Sequence, residues 1–144
     1  MEKTINEVKL LGRIGYLKHG LARNQREWFY LSLATHDYQG KDDDGKPKFK
    51  SNWHDVVFFG KSALNASKIL QKGDKVHISG KLDITIEPNS DKSIKHYRII
   101  GSDFIILANG KSDTKAPYGV DNDGPNTAEI NKSISLILNM LECQ

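Results

Sequence analysis

Base stacking beside charge neutralisation is the chemistry this sequence offers most clearly, and both are concentrated in residues 52–61, Asn-Trp-His-Asp-Val-Val-Phe-Phe-Gly-Lys. Read as a β-strand ending at a glycine, the segment sends Trp53, Asp55, Val57 and Phe59 to one face and His54, Val56 and Phe58 to the other. The second set is an apolar core row. The first carries a large aromatic ring at each end and is followed by Lys61, the arrangement of a platform that stacks flat bases and neutralises phosphates. An ordinary buried strand is also rich in aromatics, so the reading depends on what surrounds it.

Other chemistries find less support. The five histidines, at positions 19, 36, 54, 77 and 96, stand singly, and neither a His-Glu-x-x-His pair nor a phosphate-cradling glycine-rich loop occurs. His54 and His77 read as satisfied strand residues rather than ligands. Asp55, Asp83 and Asp103 fall on three separate strands, and nothing in the sequence makes them converge on a catalytic metal. The run Asp42-Asp43-Asp44-Gly45 lacks the alternate-residue spacing and the glutamate at position twelve of a calcium loop, and reads as a hydrogen-bonded turn. Asp121-Asn122-Asp123-Gly124 reads in the same way. A non-catalytic protein without metal or cofactor is expected.

The chain has 144 residues and a net charge of +3. Residues 1–107 hold 18 Lys and Arg against 13 Asp and Glu, whereas residues 108–144 hold 3 against 5, giving a basic body and a mildly acidic tail. That surplus is a weak pointer to a polyanion. The single cysteine, Cys143, excludes an intramolecular disulfide, and no apolar run approaches the roughly 18 residues of a membrane span. With no signal-like N-terminus either, a soluble cytoplasmic, nucleoid-associated protein is expected.

The elements that position the platform follow from periodicity. Residues 5–15 alternate loosely as a first strand, with Gly12 and Gly15 marking a bulge or close backbone approach. Residues 16–26 read as a basic loop. Residues 28–35 form a period-two strand with Phe29, Leu31 and Leu33 inward. Trp28 and Tyr30 then face outward, where either they extend the stacking platform or another subunit covers them. Residues 36–51 are too polar for a core and form a projecting hairpin arm in which Tyr38 and Phe49 interleave with Lys41, Lys46, Lys48 and Lys50. Ser62 is a suitable N-cap for a helix over 63–71 closed by Gly73. Residues 75–86 and 94–107 are the last two strands, the former with Val76, Ile78, Gly80 and Leu82 inward, joined by a turn at 87–93. Three strands, a helix and two strands make an all-β, five-stranded Greek-key OB-fold barrel, an architecture whose face takes oligonucleotides or oligosaccharides.

Four segments carry a more specific likeness: Asn-Glu-Val-Lys-Leu-Leu-Gly-Arg-Ile-Gly over 6–15, Leu-Ala-Thr over 33–35, the 53–61 stretch, and Leu-Gln-Lys-Gly-Asp-Lys-Val-His-Ile-Ser-Gly-Lys-Leu over 70–82. In order and spacing they resemble the bacterial single-stranded DNA-binding protein family over about 105 residues. The resemblance implies a homotetramer assembled largely through pairing of first strands, and sequence-tolerant single-stranded DNA binding in replication, recombination or repair. By position it places Trp53 and Phe59 on the family's stacking aromatics, Lys61 beside them, and Tyr38 close to a third. Lys48, Lys50 and Lys81 are the further phosphate contacts expected here.

Departures from the family pattern also matter. After the fourth strand the chain reads Asp-Ile-Thr-Ile-Glu over 83–87, without the usual aromatic and basic residues, leaving Trp28 and Tyr30 as candidate replacements. The acidic tail tip ending Ile-Pro-Phe is missing. Residues 108–125 have linker composition. In 126–144, Asn126 and Glu129 form a capping pair, and Ile130, Ile134, Ile137, Leu138 and Leu141 recur at helical spacing. That helix packs on its own barrel or docks a replication or recombination protein or another copy; the divergence fits a phage or other mobile-element origin. The alternative function is an adaptor that binds protein through Trp28, Tyr30 or the terminal helix.

Overall fold

The computed structural model describes residues 1–87, 93–110, 130–132, 134–136 and 138. Five strands, β1 (Val8–Leu21), β2 (Glu27–Lys41), β3 (Pro47–Phe59), β4 (Lys75–Ile86) and β5 (Lys95–Ala108), and one helix, α1 (Lys61–Ile69), form a closed barrel in the order β1-β2-β3-β5-β4. The OB-fold architecture expected from the element order is thus the observed one. β1 closes the barrel by serving two neighbours, pairing with β4 from Val8 to Arg13 and with β2 from Arg13 to Leu21. The change of partner coincides with a register shift between Ile14 and Tyr16, the bulge marked by Gly15. A Cβ on Gly12 would lie 2.1 Å from the Ala34 carbonyl oxygen, so only glycine allows β2 to approach there.

The interior is filled as the alternation requires. Phe29, Leu31 and Leu33 of β2 meet Val56 and Phe58 of β3, Val76 and Ile78 of β4, and Ile14 of β1, while Ala63, Ala66 and Leu70 of the helical segment seal one end. Phe58 packs edge-on against Phe29 and Phe104. A closed barrel with a helical plug buries this set.

Several boundaries differ from the sequence reading. β1 runs on to Leu21, because the backbone pairing with β2 carries polar residues as readily as apolar ones, and the expected basic loop shrinks to the turn around Ala22–Arg26. The projecting arm is a two-stranded ribbon with a register shift between Tyr38 and Lys41, where Gly40 takes a φ of 94°. Its turn is held by the Asp42 carboxylate, which accepts hydrogen bonds from the amides of Asp44 at 3.0 Å and Lys46 at 2.8 Å. Ser62 is not the helix cap: Gly60, at φ 64°, turns the chain from β3 directly into α1, and no side chain caps it. Leu82, expected inward, is exposed because β4 has by then left the barrel.

The terminal segment packs on its own barrel. Residues 130–132, 134–136 and 138 are helical, and Ile130, Ile134 and Leu138 lie against Trp28, Tyr30 and Val57. One face of the helix is thereby removed from water, which is what a short amphipathic helix needs to persist. Ile137, Leu141, the Asn126–Glu129 capping pair, most of the 108–125 linker and the tip of the 87–93 turn lie outside the described residues.

Candidate nucleic-acid interface

β2 and β3 pair in one register from Trp28↔Phe59 to Tyr38↔Phe49, with a shift before Lys41↔Pro47, and over the first stretch their outward side chains form one continuous face. The face is divided in two. At its lower end, Trp28 (5% exposed) and Tyr30 (0%) are buried with Val57 beneath Ile130 and Ile134. The expectation that they supplement the stacking platform is therefore corrected: the chain's own C-terminal segment covers them, and the adaptor reading loses the same surface. The Trp28 indole N–H is buried without a hydrogen-bond partner among the described residues. Burial, reinforced by the neighbouring Asp55 carboxylate, pushes the Tyr30 phenol far above its ordinary range, so its hydroxyl stays protonated and donates to Asp55 Oδ1.

Phe59 belongs to this covered end. It packs against the Trp28–Tyr30 cluster, and the Arg26 guanidinium lies 5.1 Å from its ring centroid, a cation–π contact. Trp53 lies on the same face of β3, about 20 Å from Phe59 at roughly 3.3 Å per residue, and is only half-buried. The structure thus places the two platform aromatics on one face, as alternation requires, but in different surroundings.

The upper end leads into the β2–β3 arm. Tyr38 (59% exposed) and Phe49 sit opposite each other, with ring centroids 5.7 Å apart and planes at 64°. Lys48 and Lys50 are exposed on the same strand as Phe49, while Lys81 is exposed on β4 and Lys61 at the start of α1. Tyr38, Phe49, Trp53, Lys48 and Lys50 therefore follow one ribbon, and Lys61 lies at the opposite end of β3.

Between the two projecting arms is an open cleft of about 160 Å³ lined by Trp53, His54, Asp55, Leu82, Tyr97, Arg98 and Ile99. His54 shares a 2.8 Å hydrogen bond with Thr35 Oγ1, and burial lowers its pKa against the opposing pull of Asp55 and Asp37. Arg98 is 6% exposed; its Nε donates to Asp83 Oδ2 at 3.1 Å and its Nη2 to Thr85 Oγ1. Tyr97 was missed by sequence reading. Its exposure depends on where β5 departs from the barrel, which a lone tyrosine in an alternating strand does not signal.

The family model for the "Single-strand binding protein family" matches residues 5–106. The chain belongs to the single-strand binding protein family. Curated family members include a single-stranded DNA-binding protein of Xanthomonas axonopodis pv. citri, 38% identical over 88 residues, which are 57% of this chain and 46% of that protein. Another, from Xylella fastidiosa, is 30% identical over 119 residues, covering 78% of this chain and 69% of that protein. The chain spans about half the length of the first of these relatives. Among solved structures, a Plasmodium falciparum SSB in complex with ssDNA superposes with a TM-score of 0.63 at 27% identity, over 74% of this chain and 98% of that one. A deletion mutant of the Thermus aquaticus single-stranded DNA binding protein matches the fold with a TM-score of 0.61 at 19% identity, over 74% of this chain and 52% of that one. The family's barrel is therefore the barrel described above, and the helical residues from Ile130 onward lie beyond those the family model matches.

Proposed function

We propose that the protein binds single-stranded DNA without reading its sequence, serving replication, recombination or repair, and that it is not an enzyme. The observation that carries this reading is the half-buried Trp53 on the outer face of β3, at the foot of an exposed arm bearing Tyr38, Lys48 and Lys50, in a chain of this family. Bases stack on Trp53 and Tyr38, a contact every base can make. Lys48, Lys50, Lys61 and Lys81 neutralise phosphates. Phe59 is the covered end of the platform, with Arg26 already over its ring.

In this reading the protein assembles as a homo-oligomer, a tetramer or a dimer, and works in the cytoplasm on nucleoid DNA. β2 joins β1 only from Arg13 onward, and Leu11, His77 and Ile105 lie in register across β1, β4 and β5, with Leu11 and Ile105 exposed. A second copy covers that apolar ladder and pairs with the free stretch of β1. Sedimentation of the full chain tests this: a monomer at micromolar concentration would contradict it.

Fluorescence anisotropy of labelled oligo-dT and a matched duplex across a salt series tests the binding. The single strand is expected to bind far more tightly, with a log–log salt slope of about −3 for four neutralised phosphates on a single strand. Equal affinity for the duplex, or no binding by a folded sample, would overturn it.

A further inference from the structure

β1 pairs with β4 only as far as Val8↔Gly80, and the residues before it leave the sheet, with Ile5 91% exposed. Asn6 marks the point of departure. Its side-chain amide stands in for a strand backbone: Nδ2 donates to the Leu82 carbonyl at 2.7 Å, and Oδ1 accepts from the Leu82 N–H at 2.9 Å. Successive residues of an antiparallel strand direct their backbone groups to alternate sides. Ile84 and Ile86 therefore present theirs to the same side as Leu82, while Asp83 and Thr85 face β5. Beyond Asn6 that edge of β4 is open, and the N–H and C=O groups of Ile84 and Ile86 have no partner there among the described residues.

The side chains along this edge are apolar. Leu82, Ile84 and Ile86 share one face of the β4–β5 arm with Tyr97, the cross-strand partner of Ile84, and all four are exposed. The same face lines the barrel core where Ile99, opposite Leu82, is buried, so the arm carries core-type surface out into solvent. The other face is occupied by polar pairs, Asp83 with Arg98 and Glu87 with His96 and Lys132. Residues 82–86, Leu-Asp-Ile-Thr-Ile, contain no proline, lysine or bulge, the devices that keep an edge strand from pairing. Charge narrows the occupant further. Lys81, beside Leu82, and Lys95, opposite Ile86, are exposed and have no carboxylate partner among the described residues, whereas Asp83 and Glu87 are neutralised. Unpaired backbone amides are complemented by another peptide backbone, and unpaired ammonium groups by acidic side chains.

We propose that the open edge of β4 docks an extended, acidic peptide segment of a partner protein, which adds as a strand in the place that β1 vacates at Asn6. Its main chain continues at Ile84 and Ile86 the bonding that the Asn6 amide begins at Leu82. Its alternate apolar side chains cover Ile84, Ile86 and Tyr97, and its carboxylates meet Lys81 and Lys95. Backbone bonds supply affinity in such strand addition, and the alternate side chains supply selectivity. The proposal does not depend on single-strand binding.

The test titrates the full chain with a short synthetic peptide of alternating Glu and Val, and follows amide hydrogen exchange by NMR. Exchange is expected to slow at Ile84 and Ile86, the two amides on the open edge, with little change at Asp83 and Thr85, whose amides already face β5. Of two probes N-methylated on complementary sets of alternate amides, one is expected to bind as the unmodified peptide does and the other to lose binding. Ile84→Thr keeps the branched side chain that suits a strand, and is expected to weaken the peptide about fivefold by removing apolar cover. No binding by a folded chain, or binding that leaves Ile84 and Ile86 exchanging freely, overturns the proposal. Protection of these two amides that grows with chain concentration in the absence of peptide gives the edge to a second copy and overturns it too. So does protection by oligo-dT with release of the peptide, which would assign the edge to DNA.

Discussion

The Lys132 ammonium of the C-terminal segment lies 3.1 Å from Glu87 Oε1 at the far end of β4. One exposed ion pair contributes little, but it joins the segment to an arm while Ile130 and Ile134 join it to the sheet. The segment is thus anchored at two places, one electrostatic and one apolar.

The apolar anchor controls access to Trp28. Ile134→Asp places a charge against Tyr30 and Val57, and is expected to undock the segment and expose the indole. In a Trp53→Phe background, where Trp28 is the only fluorophore of its kind, the emission should shift to the red and acrylamide quenching should increase. Unchanged quenching would show that the barrel alone shields Trp28.

The electrostatic anchor gives a pH dependence. Hydrogen bonding to Lys132, and then to His96, holds the Glu87 carboxyl below its ordinary 4.5. A carboxylate whose pKa is lowered by docking contributes above the undocked value and loses its contribution as pH falls through the docked one. Docking, followed through Trp28 emission in the same background, should weaken as pH drops below about 4.5, and Glu87→Gln should flatten that dependence.

His54 acts within the barrel. Burial lowers its pKa from 6.5, so the unfolded chain binds the extra proton more readily. Stability therefore rises with pH through the region just below 6.5 and is lost as pH falls towards the folded value. Urea denaturation between pH 5 and 8 should show this slope in the parent and a smaller one in His54→Gln.

Gly101 tests the packing of the core side chains. A Cβ there would lie 2.4 Å from Phe58 Cε1, displacing a ring wedged against Phe29 and Phe104. Gly101→Ala should cost about 1–3 kcal/mol through overpacking, seen as a lower urea midpoint with an unchanged m-value.

The parts of the molecule legible in the sequence are those fixed by short-range alternation. Phe29, Leu31, Leu33, Val56 and Phe58 announce their burial by period two, and the Gly12 and Gly15 positions announce a close approach and a bulge. The direction of Trp28 and Tyr30 was legible also, but not their cover, because it comes from Ile130 and Ile134, a hundred residues further along the chain. Tyr97 and Leu82 were misplaced or overlooked for a related reason. Their pattern is that of core residues, and only the point at which β4 and β5 leave the barrel converts them into surface. Ser62 was read as a cap because its type fits, whereas the backbone turn at Gly60 needed no side chain.

Trp53 carries the central claim, and the two tryptophans allow it to be isolated. Trp53→Ala should weaken binding to every single-stranded sequence by about 1–3 kcal/mol. More directly, Trp28→Phe and Trp53→Phe variants can each be titrated with oligo-dT while the remaining indole is followed. The account predicts strong quenching in Trp28→Phe, whose indole is Trp53, and little in Trp53→Phe, whose indole is buried beneath the C-terminal segment. Quenching confined to Trp53→Phe would contradict it, placing the DNA on the face that this segment covers.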